Sequence, residues 1–289
     1  MLHWFPGHMH KARKELAKII PQIDIVFEIV DARTPEASAN PILHEIAKDK
    51  PIIKILSKTD LADKETTKQW LTYYQNKAIA LNTIKDKQAQ KKLMALAEKC
   101  APKRGTILKP IRAVVVGIPN VGKSTLINLL AGKKIAKTGN EPAITKRQQN
   151  IMLARTFYLR DTPGIMSPSP KSEDASFRLA ICGAIRDTAM DYPTAAYYFI
   201  KYMTKTHLEK LCQRYALNKE SVLSCSEDEI LKHIARSLGA IKNDGVENLH
   251  QAAEKLILDF RQGRIGSISL ETPESHELEK SAYETEPSE

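Results

Sequence analysis

Short apolar runs recur through the first 160 residues, each about as long as a strand and closed by turn-forming residues. Residues 23–30, Ile-Asp-Ile-Val-Phe-Glu-Ile-Val, lead into Asp31-Ala32-Arg33-Thr34-Pro35, where proline forces a turn. Similar runs lie at 51–56, 78–81, 113–116, 150–153 and 157–159, and helical spacing over 64–74 and 85–100 separates several of them. The alternation predicts an α/β sheet with crossover helices. Residues 101–110, Ala-Pro-Lys-Arg-Gly-Thr-Ile-Leu-Lys-Pro, have linker composition inside the strand series and predict a join between two halves of one domain. Beyond about residue 170 the strand signals stop, and 175–187, 194–203, 207–215, 228–238 and 246–260 carry helical spacing, which predicts a small all-helical domain. The expected organisation is a basic N-terminal segment (1–22), an α/β domain (23–170), a helical domain (171–270) and an acidic tail (271–289) too poor in apolar residues to order itself.

A chain of 289 residues fits two domains of ordinary size, and 42% hydrophobic with 27% charged residues is a globular composition. No apolar run approaches the roughly 20 residues that span a bilayer, so no membrane role is expected. The N-terminal Met1-Leu2-His3-Trp4-Phe5-Pro6-Gly7 has no signal-peptide pattern, which makes the cytoplasm the expected compartment. Cys100, Cys182, Cys212 and Cys225 stand far apart with no C-x-x-C pair, a spacing that suggests packing roles rather than zinc or disulfides. Net charge is +10, and the last 19 residues hold seven glutamates against one lysine, leaving about +16 on the rest. Such a balance suits a polyanion such as RNA, or a merely soluble basic surface.

Four motifs carry the chemistry. The run at 113–116 enters Gly117-Ile118-Pro119-Asn120-Val121-Gly122-Lys123-Ser124-Thr125, a G-x-x-x-x-G-K-[ST] loop followed by helix-forming residues. In such a loop the backbone N–H groups cradle phosphates, here those of Asn120, Val121, Gly122 and Thr125. Lys123 would reach the β and γ phosphates, and Ser124 would ligate Mg2+. Asp161-Thr162-Pro163-Gly164 closes a later strand, where Asp161 could hold the magnesium shell through water and the Gly164 N–H could meet the γ-phosphate. Between them, Thr145 in Glu141-Pro142-Ala143-Ile144-Thr145-Lys146 is the candidate switch hydroxyl that completes the shell only while γ-phosphate is present. Upstream, Ser57-Lys58-Thr59-Asp60 stands where a base-reading N-K-x-D would. Asp60 can accept from guanine N1–H and N2–H together, a pair adenine lacks, and the Lys58 stem can lie along the base. Asn82 and Thr83, ending the next strand, are placed for a second base contact. The expected ligands are therefore GTP and GDP.

With the base-reading element ahead of the phosphate loop, the chain resembles the circularly permuted Ras-like P-loop GTPases. Trp4-Phe5-Pro6-Gly7-His8-Met9 and Asp31-Ala32-Arg33 place it with the branch linked to ribosome assembly, over about residues 1–265. The resemblance implies a GTPase acting late in assembly of the large ribosomal subunit, touching ribosomal RNA through the N-terminal segment and the helical domain. It also implies a catalytic role for His8; on the residues alone, His8 could equally belong to a basic RNA-binding arm with Lys11, Arg13, Lys14 and Lys18. Asn120 matches relatives that place K+ beside the β and γ phosphates. Three features depart from the pattern: Ser57 for Asn, Ala143 for Gly, and the acidic extension. After Gly164 comes Ile165, which cannot orient a water, so slow intrinsic hydrolysis is expected, among the catalytic candidates His8, Lys123 and Thr145. The short link from Gly164 into the helical domain predicts that nucleotide state repositions residues 170–265.

Overall fold

A computed structural model describes residues 14–82, 86, 88–133, 149–162, 172–185 and 190–285. Six strands form one sheet in the order β3-β2-β1-β4-β6-β5: β1 (Ile25–Asp31), β2 (Ile52–Ser57), β3 (Ala78–Ala80), β4 (Ile111–Val116), β5 (Gln149–Ala154) and β6 (Phe157–Asp161). All neighbours are parallel except β5 with β6. Central β1 is buried along its whole length, which is why its sequence reads as a near-continuous apolar run rather than an alternation. The phosphate-loop strand β4 sits between the earlier β1 and the later β6. The half of the sheet that carries the expected base reader thus comes first in the chain, as the expected permutation requires, and the helices follow.

Helices cover both faces. On one, Leu93 and Ala97 of α4 (Ala89–Cys100) and Leu126, Ile127 and Leu130 of α5 (Lys123–Ala131) pack on Phe27, Ile29, Ile55, Val115 and Leu159. On the other, Leu16 and Ile19 of α1 (helical over residues 14–19) and Leu43 of α2 (Ile42–Ala47) meet Val26, Val114 and Val116, while Trp70 of α3 (Lys64–Tyr73) covers Val30 and Leu56. The second half of the expected separate N-terminal segment is therefore part of the sheet domain, because Leu16, Ile19 and Ile20 bury against it.

The helical part holds its own core. Its elements are α6 (Glu173–Ile181), α7 (Tyr192–Thr206), α8 (Leu208–Tyr215), α9 (Lys219–Ser224), α10 (Glu227–Ser237) and α11 (Leu249–Arg261), with Phe199, Leu211, Ile234, Leu256 and Phe260 at the centre. Capping residues set several starts: Ser172 for α6, Asn218 for α9 and a Ser226/Glu229 capping box for α10. α6 stops at Ile181, short of the expected 187, because Gly183 (φ 82°) turns the chain left-handed and Arg261 takes up the carbonyls of Ala180 and Ile181. α6 is also the seam, since Leu179 joins the sheet core while Ala180 and Ile181 join the helical one.

The described part of the acidic tail, residues 271–285, is ordered, against the compositional expectation. Residues Pro273–Thr285 form α12, docked on α3. Tertiary contacts supply what composition lacks: the Trp70 indole N–H donates to the Glu271 carbonyl (3.2 Å), the Tyr73 hydroxyl to Glu277, and Arg178 to Glu279. Three glutamates of what looks like a solvated run, Glu271, Glu277 and Glu279, are paired with groups of the folded body.

Candidate nucleotide-binding site

The phosphate loop leaves β4 at Gly117 and enters α5 at Lys123. A Cβ on Gly117 would lie 2.5 Å from Ile29 Cγ2 and 2.8 Å from the Ile29 carbonyl, so glycine is what lets the loop pass β1. Asn120 (φ 62°) and Gly122 (φ 91°) take left-handed backbone to complete the turn. Side chains cap α3, α6 and α10, whereas α5 starts at Gly122 with no side-chain cap, the arrangement that receives phosphate oxygens on first-turn N–H groups.

Lys123 and Asp161 are brought together by the β4–β6 pairing, Nζ to Oδ1 at 2.6 Å with both groups nearly buried. The Thr162 hydroxyl donates to the Val115 carbonyl at 2.7 Å and fixes the end of β6 beside the loop. A hydroxyl at the start of α5 and a carboxylate on the adjacent strand are hard oxygen donors, which fits Mg2+. Ser124, and Asp161 through water, would hold that ion, whose charge would offset the β and γ phosphates when bound. In this structure Lys123 pairs with Asp161, a partner that phosphate oxygens would replace if Lys123 turned to a bound nucleotide.

The base-reading element closes on the same loop. Ser57, fully buried at the end of β2, has its hydroxyl 2.6 Å from the Val121 carbonyl and 2.9 Å from the Val30 carbonyl. Ser57 therefore ties the candidate base reader to the phosphate loop. Lys58 adopts left-handed backbone (φ 54°) and its ammonium donates to Asp31 at 2.9 Å, a contact absent from the sequence-based expectation. Thr59 is half-buried and Asp60 exposed, its carboxylate left at the surface as a base reader requires. Asn82 follows β3, half-buried, with its carbonyl accepting from the Asp86 N–H.

The residues that sequence reasoning left out of the site are Asp31 and Arg33, although their motif is visible in it. Arg33 grips Asp31 with two bonds of 2.9 and 2.7 Å, donates to the Cys182 carbonyl, and lies 4.8 Å from the centre of the Phe260 ring on α11. Burial alone would raise the Asp31 carboxyl, but the charges of Arg33 and Lys58 outweigh it and hold it well below the usual carboxylate range. Asn120 makes a second tie to the helical part, its amide donating to the Gly183 carbonyl at 2.9 Å. Burial pushes the Cys182 thiol up to about 12, which fits a packing role and not a nucleophile.

Ser57, Lys58, Thr59, Asp60, Asn120, Val121, Gly122, Lys123, Ser124, Thr125 and Asp161 thus gather at the C-terminal ends of β2, β4 and β6, with Asn82 after β3. His8, Thr83, Thr145, Gly164 and Ile165 lie outside the described residues. Among the described residues, no helix is long and apolar enough to cross a membrane.

Residues 112–218 match the family of 50S ribosome-binding GTPases. The chain is 40% identical to the Ribosome biogenesis GTPase A of Priestia megaterium, across 96% of this chain and 98% of the relative. It is 38% identical to the protein of the same name from Bacillus cereus, across 95% of each. Its fold matches GNP-bound YlqF from T. maritima with a TM-score of 0.64 at 25% identity, over 91% of this chain and 99% of that one. Phosphate loop, base reader, permuted order and these likenesses agree, and the chain belongs to the ribosome biogenesis GTPase A family of circularly permuted GTPases.

Proposed function

We propose that this chain is a cytoplasmic GTPase of late large-subunit assembly, which binds the precursor particle and its ribosomal RNA with GTP and leaves after hydrolysis. The names of its relatives support the particle as partner. The observation that carries the reading is the pair of ties from the site to the helical part, Asn120 of the phosphate loop to Gly183, and Arg33, bound to Asp31 at the end of β1, to Cys182 and Phe260. Through the first, a loop that rearranges around phosphate pulls on the helices; through the second, the end of β1 is held to them. Asp60 selects guanine; Thr83 and the Gly164 N–H complete the base and γ-phosphate contacts. Ser124, Thr145 and, through water, Asp161 are the residues that would hold Mg2+, which would offset phosphate charge when bound, and Asn120 is the residue that would serve a K+ ion.

Ile165 has no hydrogen-bonding group to orient water, so hydrolysis by the chain alone is slow. The particle stimulates it by acting through His8, which orients the attacking water as a neutral imidazole. Phosphate release by wild type and His8→Ala, each with and without large subunits, tests both parts. The expected result is stimulated turnover in wild type only, with subunit binding intact in both. No stimulation of the wild type, or ATP competing with GTP on equal terms, overturns the reading.

A further inference from the structure

The β5–β6 hairpin has one face in the core and one that no helix covers among the described residues. Ile151, Phe157 and Leu159 are buried beneath it, while Asn150, Met152, Tyr158 and Arg160 alternate to the other side. Register pairs Met152 with Tyr158 and Asn150 with Arg160, and Arg112 on β4 stands beside Tyr158. Met152, Tyr158 and Arg112 therefore form one row across three strands, with Met152 62% and Tyr158 38% exposed. α1 covers the neighbouring part of this face over Val114 and Val116, and the chain that follows it reaches the row's border at Gln22, which accepts from Arg160.

The charges on this face do not cancel. Arg160 bonds to the neutral amides of Asn150 (2.9 Å) and Gln22 (3.3 Å). Arg104 and Arg112 share one carboxylate, Asp24. The adjoining loop at 101–110 adds exposed Lys103 and Lys109, and a turn closed by Lys109 N–H to Thr106 Oγ1 (3.0 Å) holds Leu108 92% exposed. A flat sheet face with a central aromatic ring, a polarizable Met and surplus guanidinium charge has the chemistry that stacks unpaired bases and neutralises their phosphates. An acidic protein partner would answer the charge but leave the Tyr158 row without a reason.

We propose that the outer face of the β5–β6 hairpin, with Arg112 and the 101–110 loop, is an RNA-docking platform that stacks an unpaired base on Tyr158 and pairs phosphate with Arg160. The proposal rests on the ribosomal reading above. Tyr158 lies three residues before Asp161 on the same strand, so RNA held there bears on the strand that carries the phosphate-site carboxylate.

The test uses the full chain with a mixed-sequence single-stranded 20-mer RNA, and in parallel with purified large subunits. Tyr158→Ala and Arg160→Gln are each expected to weaken 20-mer binding about tenfold or more. Arg160→Gln should also flatten the log–log salt dependence by about 0.7, the slope of one phosphate contact on a single strand. GTP affinity and melting temperature should stay at wild-type values, which separates loss of docking from loss of fold. Equal RNA affinity in wild type and both variants, or no binding of the 20-mer by wild type, overturns the platform. Loss confined to intact subunits, with 20-mer binding unchanged, assigns the face to a ribosomal protein and overturns it as well. Wild type that binds the 20-mer but not the subunits leaves the platform standing and sinks the assembly reading instead.

Discussion

Ser57 has one hydroxyl proton, and the carbonyls of Val121 and Val30 share it. It has no second proton to donate to a base, so its work is positional: it holds the phosphate loop against β2, and on the proposed reading guanine selection is left to Asp60. Ser57→Ala leaves the buried Val121 carbonyl without this donor, and denaturant unfolding is expected to show a loss of about 1–3 kcal/mol. Fluorescent-nucleotide titration should find GTP and GDP weakened together with the preference over ATP retained. A collapse of that preference in Ser57→Ala would show that the serine reads the base after all. Sequence comparison flags Ser57 as a departure; only the position of Val121, 64 residues away, shows that the shorter side chain still spans the gap.

At the scale of elements, α12 is where local composition and outcome differ most. Glu271, at its entry, is fully buried and accepts from the Glu36 N–H at 2.8 Å and, at 3.4 Å, from Arg178. Burial pushes its carboxyl up to about 7, against the opposing pull of Arg178 and the backbone donors. A folded pKa above the unfolded value means that the folded chain holds the proton more tightly. The stabilisation from that proton is complete below about 4.5 and is lost as pH rises through about 7. Glu271→Gln removes this titration. Its stability relative to wild type should climb between pH 5 and pH 8 by roughly 2–3 kcal/mol, read from melting curves across that range. A pH-independent difference would place the Glu271 proton elsewhere.

Over the whole molecule, Arg33 is the side chain that sheet and helices share. It is bound to Asp31 on β1, to the Cys182 carbonyl after α6, and against Phe260 of α11, and its own carbonyl accepts from the Leu270 N–H at 2.7 Å. Arg33→Met leaves the buried Asp31 carboxylate with Lys58 as its remaining cation, at an expected cost of about 3–5 kcal/mol. Asp31→Asn with Arg33→Met should recover much of that loss, because the uncompensated charge is gone, and a double-mutant cycle by chemical unfolding measures it. In the double variant, hydrogen exchange over α6 and α11 should no longer respond to replacing GDP with a GTP analogue, while both nucleotides still bind. An unchanged response would move the coupling from Arg33 to the Asn120–Gly183 tie.

What the sequence by itself determined are the parts whose physics is local. A strand entering G-x-x-x-x-G-K-[ST] marks a phosphate seat in one contiguous stretch of chain. Apolar runs of strand length and 3.6-residue spacing mark the sheet and the helices from side-chain pattern alone. The order of the motifs gave away the permutation, because order is a property of the chain. The tertiary structure decided whatever depends on partners distant in sequence: Ser57 with Val121, Lys123 with Asp161, Arg33 with Phe260, Asn120 with Gly183. It also decided that α12 folds. A run of glutamates has too little apolar surface to offset its own chain entropy, and it orders only where Arg178, Tyr73 and Trp70 already wait on elements formed elsewhere.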